Sequence, residues 1–272
     1  MGKVRVGFQG EHGAYSEEAA LTFFSEATTI PCRTVRQVFE SVQNRSCEFG
    51  VVPAENSLEG SINQTYDLLL ESPLRIRGET KIRIQHCLLA TNGTTLSDVK
   101  AVYSHPQAIA QCMNFLNELN VECIPSYDTA GSAKMIMEKQ IRNAAAIASE
   151  RAARTYGLTI LRRNIEDLSE NYTRFFAIGW MDPSRTEKNK TSIVFGTKHT
   201  PGSLHNVLGE LARRGINLTK IESRPVRTTP WEYNFFVDFE GHYNDASCAE
   251  ALEAMKRFTT QLRILGSYPS AS

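Results

Sequence analysis

The chain has 272 residues, 41% of them hydrophobic, with 30 basic and 30 acidic side chains and no net charge. That length buries a sizeable core and accommodates more than one domain. A neutral chain with no long basic run and no basic–aromatic stripe argues against a nucleic-acid partner, and no apolar run approaches the ~20 residues of a membrane helix.

The N-terminus enters strand-like alternation at once, without an apolar signal core, and Val6 breaks the myristoylation pattern. Cys32, Cys47, Cys87, Cys112, Cys123 and Cys248 form no C-x-x-C pair and no zinc-like spacing with histidine. Reduced thiols in a cytoplasm are the default for such a pattern.

In chain order, a strand over 4–8 leads to a loop and a helix opened by Ser16, with Glu17 and Glu18 in its first turn. A strand over 49–54 leads to Glu55-Asn56-Ser57-Leu58-Glu59-Gly60 and a helix over 63–71. Strands over 86–91 and 101–104 follow. The second ends in Ser104-His105-Pro106-Gln107, where Pro106 suits a first helical position. The strand over 121–125 precedes Asp128-Thr129-Ala130 and a helix, and the strand over 144–148 precedes Ser149-Glu150-Arg151 and another. This alternation predicts an α/β domain with a parallel or mixed sheet. Its last strand, from Thr173 to Trp180, is aromatic and β-branched, and a single cation, Arg174, interrupts it beside Thr173.

Helix N-termini offer free N–H groups and partial positive charge, so they attract anions, and in open α/β sheets they converge where ligands sit. Here those turns carry Ser, Thr, Asn and Gln. There is no G-x-x-x-x-G-K-[ST] loop, and the Gly10-x-x-Gly13 spacing is too short for a dinucleotide fingerprint. The pattern predicts a pocket of hydroxyls and amides for carboxylates, with Arg174 as its main fixed cation. Each of these residues singly has a bland alternative, the capping of its own helix.

The stretch 182–190 is polar, charged and proline-bearing, and marks a linker between a domain over 1–181 and a unit over 191–272. In the second unit the expected order is a strand at 191–197, a helix at 204–214, strands at 218–222 and 232–240, a helix at 246–261 and a strand at 263–268. That βαββαβ order is ferredoxin-like.

With Gly13-Ala14-Tyr15-Ser16, Pro53-x-Glu55-Asn56-Ser57-x-x-Gly60, Ser104-His105-Pro106-Gln107, Asp128-Thr129-Ala130, Ala148-Ser149 and Thr173-Arg174-Phe175 all in place, the chain resembles the prephenate dehydratases over essentially its whole length. The unit over 191–272 resembles an ACT domain, through Gly202-Ser203-Leu204 and Glu222-Ser223-Arg224-Pro225. Ser203 and Ser132 stand where alanine is commoner in the family. The resemblance implies a two-lobed, periplasmic-binding-protein-like catalytic domain; the two runs of strand–helix units, with Thr173 after the second, put the crossing between lobes near 81–85 and the return near 158–161. It implies conversion of prephenate to phenylpyruvate with loss of CO2 and water, without cofactor or metal. It also implies feedback by L-phenylalanine and a cytoplasmic homo-oligomer, dimer or tetramer. Arogenate is the nearest rival substrate. From other classes, a two-lobed solute-binding protein and a purely regulatory ACT protein remain as alternatives.

The resemblance assigns the donor to the leaving hydroxyl to Thr173. It assigns substrate binding to Asn56, Ser57, Ser104, His105, Gln107, Thr129, Ser149, Asn171, Arg174 and Phe175. An unperturbed threonine hydroxyl is a poor acid, so Thr173 is expected to donate a hydrogen bond or relay a proton, and His105 is a rival donor by residue type. Arg174 is expected to hold the side-chain carboxylate, which survives the reaction. Glu55 is either a buried acid or a partner for a backbone amide. The effector site is expected at Gly202, Ser203, Leu204, Asn217 and Leu218, facing a loop of Glu222, Ser223 and Arg224, and shared between subunits.

Overall fold

The computed structural model describes residues 2–226 and 231–271. In chain order the elements are β1 (Arg5–Gln9), α1 (Tyr15–Phe23), β2 (Thr28–Cys32), α2 (Val35–Gln43), β3 (Phe49–Asn56), β4 (Gly60–Ser61), α3 (Asn63–Glu71), β5 (Arg75–Arg83) and β6 (Cys87–Ala90). There follow β7 (Ala101–Ser104), α4 (Pro106–Ala110), α5 (Met113–Leu119), β8 (Glu122–Pro125), α6 (Thr129–Lys139), β9 (Ala144–Ala148), α7 (Glu150–Tyr156), β10 (Thr159–Arg163) and β11 (Tyr172–Gly179). The chain ends with β12 (Asn189–Thr197), α8 (Ser203–Ala212), β13 (Leu218–Pro225), β14 (Tyr233–Glu240), α9 (Ala246–Met255) and β15 (Thr259–Pro269). None of the described helices is long and apolar enough to cross a membrane.

The chain divides into two compact units, one of residues 1–62 and 80–175, the other of 63–79 and 176–272. β5 and β11 each run from one unit into the other. The first unit contains two lobes. One is built on a sheet of order β2-β1-β3-β11-β5, the other on a sheet of order β10-β6-β9-β7-β8. In the second lobe β9 (Ala-Ala-Ala-Ile-Ala) is buried throughout between β6 and β7. Leu88, Val102, Ile147, Cys112 and Leu116 pack there into one core. In the first lobe α2 turns Val35, Val38, Phe39 and Val42 inward at helical spacing.

The first crossing falls between β5 and β6, near the expected place. The return does not fall at 158–161. Residues 159–163 form β10, an antiparallel strand on β6, so the chain stays in the second sheet until Arg163 and returns over 164–171. β10 is an edge strand rich in basic residues, which hides its period. The start of α1 also differs. Its N-cap is Ala14, and Ser16 lies buried inside the helix. The free N–H of Gly13 is taken instead by the Glu17 carboxylate at 2.7 Å.

The second unit contains a four-stranded sheet of order β13-β14-β12-β15, which with α8 and α9 is the ferredoxin-like arrangement. Ile193, Phe195, Val237 and Phe239 meet Val207, Leu211, Leu252 and Met255 on the helical side. On the other side Tyr66 of α3 lies edge-on to Phe236, ring centroids 5.0 Å apart. α9 stops at Met255, short of the expected 261, and Thr259 and Thr260 already belong to β15. Their β-branched side chains favour the strand.

Candidate active site

β3 and β11 are neighbours, and each brings two consecutive residues to the site end of its sheet. Strand alternation sends successive side chains to opposite faces. Asn56 and Thr173 therefore share one face, and Glu55 and Arg174 the other. Asn56 Nδ2 donates to Thr173 Oγ1 at 3.0 Å and to Asn171 Oδ1 at 2.7 Å. The Arg174 guanidinium lies 3.6 Å from the Glu55 carboxylate.

The orientation of the Asn56 amide is fixed from behind. Its Oδ1 accepts the backbone N–H groups of Leu58 and Glu59, at 3.0 and 3.2 Å. Nδ2 must then face Thr173. Thr173 Oγ1 is thus an acceptor towards Asn56, and its own proton is left to donate. A hydroxyl that already accepts a hydrogen bond is a better donor, because bonds in a chain polarise one another.

Thr173 opens into a cavity of about 110 Å3, within the first unit, lined by Tyr15, Asn56, Ile84, His86, His105, Gln107, Ala108, Gln111, Thr129 and Thr173. Of the residues expected from sequence, Thr173, Asn56, His105, Gln107 and Thr129 come together here. His105 caps α4, its Nδ1 accepting the N–H of Gln107 at 3.3 Å. That bond requires a lone pair on Nδ1, so the neutral ring carries its proton on Nε2. Thr129 opens α6, behind the N-cap Asp128, which accepts from Gly131 N–H. Burial raises the Asp128 carboxyl above its ordinary value, and Glu11 adds to the effect, while the Gly131 N–H and His105 oppose it.

The remaining expected residues stand outside this lining. Ser104 is fully buried and donates to Ile147 O at 2.7 Å. Ser149 donates to Gly13 O at 2.6 Å and caps α7 by accepting from Ala152 N–H. Ser57 donates to Glu170 O and accepts from Tyr172 N–H, tying the loop after β3 to the start of β11. Asn171 is buried behind Asn56, Phe175 is core, and Arg174 is turned to the face of Glu55.

Three polar wall residues were not assigned to the site from sequence: Tyr15, His86 and Gln111. Tyr15 lies within the quoted Gly13-Ala14-Tyr15-Ser16 segment, and Gln111 follows Gln107 by four, which places both on one helical face. His86 sits on the crossing between lobes and carries no local signal. Burial lowers its imidazole below the ordinary value, against a smaller opposing pull from Gln111 and Glu166, so it is held neutral. Burial pushes the Tyr15 phenol well above its ordinary value, with Cys87 and Glu166 adding to it, so it remains a donor. A larger recess of about 720 Å3 includes Tyr15, Arg83, Arg151, Arg154 and Arg163. Three of its arginines are engaged by Glu17 or Glu150, and it does not reach Thr173.

In the second unit Gly202 is the N-cap of α8 with φ of 80° and Ser203 is the helix's first residue, its hydroxyl 2.7 Å from that of Thr200. Leu204 packs against the helical core, Asn217 O accepts from Glu240 N–H, and Leu218 begins β13. Glu222, Ser223 and Arg224 lie within β13, paired with Phe236, Phe235 and Asn234, and are not the loop expected from sequence. The proline that suggested a turn is the strand's last residue, on an edge strand where its missing N–H is tolerated. Arg224 meets Asp67 of α3 at 2.8 Å, and Lys220 lies over the Tyr66 ring. These even-numbered side chains therefore point away from α8.

Two α/β lobes around an amide–hydroxyl cavity, followed in sequence by a ferredoxin-like unit, give the chain the build of a two-lobed cleft protein with an appended small domain. The comparisons agree: a family model for prephenate dehydratase matches residues 6–182 and one for the ACT domain matches 191–256. The chain belongs to the prephenate dehydratase family. It is 44% identical to arogenate dehydratase/prephenate dehydratase 2, chloroplastic, of Arabidopsis thaliana over 98% of this chain and 73% of that protein. The solved prephenate dehydratase of Arthrobacter aurescens in complex with L-Phe matches with a TM-score of 0.89 and 35% identity, covering 98% of this chain and 90% of that one. A structure described as GqqA, a novel type of quorum quenching acylases, matches with a TM-score of 0.90 and 36% identity over 98% of both chains.

Proposed function

We propose that the chain converts prephenate to phenylpyruvate in the cytoplasm. The carbon–carbon bond to the ring carboxylate breaks and releases CO2. Its electron pair completes the aromatic ring, and the ring carbon–oxygen bond breaks with its electrons on oxygen. One proton, delivered to that oxygen, makes the leaving group water. The observation that carries this reading is the Asn56–Thr173 hydrogen bond, which commits Thr173 to donating. General acid help of this kind is worth about 10²–10⁴ in rate.

The Nε2–H of His105, Gln107 and Thr129 supply neutral donors to the substrate, while both N–H groups of Asn56 are committed to Asn171 and Thr173. Among the described lining residues there is no arginine or lysine. That suits a carboxylate that must lose its charge, because a cation bound to it would stabilise the ground state more than the transition state. The cavity is smaller than the roughly 300–1,000 Å3 of typical ligand pockets, so substrate entry entails parting of the two lobes about 84–86 and 164–171.

The acylase reading is less well supported. Acyl transfer by Thr173 needs a base that takes its proton, and the hydrogen-bond partner of Oγ1 among the described residues is a donor. Arogenate remains the second substrate reading, because the Arabidopsis relative carries both activities in its name. Steady-state kinetics with prephenate and arogenate separate the two, and turnover of neither refutes the assignment.

The C-terminal unit is proposed to bind L-phenylalanine in a homo-oligomer, at a site shared between subunits. Sharing fits the placement of the Gly202-Ser203-Leu204 turn and the Glu222 and Arg224 side chains on different faces of one chain's sheet. Calorimetry with L-phenylalanine tests it: Glu222→Ala should bind more weakly than the parent, and equal binding by both rejects the assignment.

A further inference from the structure

We propose that His86 is a positioning residue for the Thr173 hydroxyl, acting as the fixed N–H donor at the far end of an amide chain. The inference rests on the dehydratase reading above and names a residue that the sequence motifs did not assign.

The chain runs Asn56, Asn171, Gln111, His86. Asn56 Oδ1 is an acceptor because two backbone N–H groups point at it, so its Nδ2 donates to Asn171 Oδ1 at 2.7 Å. Asn171 Nδ2 then donates to Gln111 Oε1 at 3.0 Å. Gln111 Nε2 donates to the Glu59 carboxylate at 3.2 Å, which holds that amide the same way round. Gln111 Oε1 also faces His86 Nε2 at 3.0 Å. An amide oxygen cannot donate, so Nε2 of His86 must carry the proton. The neutral ring then has a bare Nδ1; the Tyr15 hydroxyl lies 3.3 Å from it and gives its proton to Gln85 O at 2.7 Å, so the tautomer is set from the Gln111 side.

Every amide in the chain has one permitted orientation, and the two ends enforce it together. At one end stand the N–H groups of Leu58 and Glu59, and at the other the His86 N–H. A bare Nε2 at His86 would set a lone pair against the Gln111 oxygen and favour rotation of that amide. Rotation would place Gln111 Nε2 against Asn171 Nδ2, donor against donor, and its oxygen against the Glu59 carboxylate. Asn171 would then be driven to turn, and Asn56 would lose the partner that shares its Nδ2 with Thr173. The main chain at His86 is held independently by its N–H, which donates to Glu166 at 2.9 Å, and the residue is 2% exposed.

The test compares His86→Leu, which removes the donor, with His86→Gln, whose amide can donate to Gln111 in the same way. His86→Leu should lower kcat by about tenfold, the loss of one modest hydrogen bond, with KM within threefold. His86→Gln should recover most of kcat. Parental kcat in a folded Leu variant, or a Gln variant as impaired as Leu, overturns the proposal. Proton–nitrogen-15 spectra of the histidine-labelled protein without substrate should show His86 protonated on Nε2 and bare on Nδ1. This arm needs no variant to fold, and a bare Nε2 overturns the proposal alone. Wild-type protein inactive on both prephenate and arogenate overturns the reaction reading and, with it, the inference built on it.

Discussion

Two groups of hydroxyls at the sheet ends look equivalent as sequence and differ in the fold. Ser104 and Ser149 give their protons to main-chain carbonyls, at 2.7 and 2.6 Å. Thr173 accepts a hydrogen bond from Asn56 and keeps its own O–H to donate. The first pair holds turns in place. The second arrangement leaves a donor facing a cavity. What separates a brace from a reactive group here is the direction of one hydrogen bond, and burial alone does not reveal it.

The comparison breaks most easily at Thr173. Thr173→Ala should lower kcat by ~10²-fold or more with little change in KM or circular dichroism, since the bond forms mainly in the transition state. A folded variant with near-parental kcat would shift the donor role to His105.

Ser149→Ala should do the opposite, leaving kcat within about threefold while costing ~0.5–2 kcal/mol of stability for the lost cap. A thermal melt and a rate assay on one preparation decide it, and a large loss of kcat at unchanged melting temperature would move Ser149 into the active site.

Arg174 sharpens the contrast from the far side of β11. With its guanidinium towards Glu55, Arg174→Gln should lower stability by about 1 kcal/mol, as for a partly exposed ion pair, and leave phenylpyruvate inhibition within twofold. A several-fold weakening of that inhibition would restore the expectation that Arg174 grips the surviving carboxylate.

The smallest effect concerns pH. Burial would raise the Glu17 carboxyl, but Gly13 N–H, His12, Thr29 and Arg151 outweigh it and hold the group below its ordinary value. A lowered folded value contributes stability that is complete above the unfolded value of about 4.3 and is lost as pH falls through the folded one. Glu17→Gln should therefore flatten the melting-temperature profile below about pH 4, and an unchanged acid limb would show that Glu17 contributes nothing there.

Much of this was legible as sequence, for physical reasons. The strand–turn–helix repeats and the βαββαβ order follow from apolar periodicity, and Asn56, His105, Thr129 and Thr173 lie at the strand ends and helix starts where ligands gather. β2 and β5 escaped notice: β2 is an edge strand carrying Pro31, and β5 alternates buried Ile76 and Ile82 with Arg75, Arg77, Lys81 and Arg83. The missed return at 164–171 follows from overlooking β10. Arg174 was expected beside Thr173 in the pocket, whereas strand alternation turns it to the face of Glu55. His86 could not be found this way, because only the packing of the fold brings this crossing residue against the helix start at Tyr15.

The position of α3 bears on how such a chain can be recombined. By sequence this helix belongs to the matched dehydratase region, yet it forms part of the compact unit that contains the ferredoxin-like sheet. Tyr66 is buried there, Asp67 pairs with Arg224, and Arg263 donates to Leu70 O. At Gly266 even a methyl group would lie 2.1 Å from Ile76 O. A chimera that exchanges 191–272 alone would set a foreign sheet against these side chains. A graft that carries 63–79 with it keeps the interlocking surfaces from one parent, so the transferable module is discontinuous in the gene.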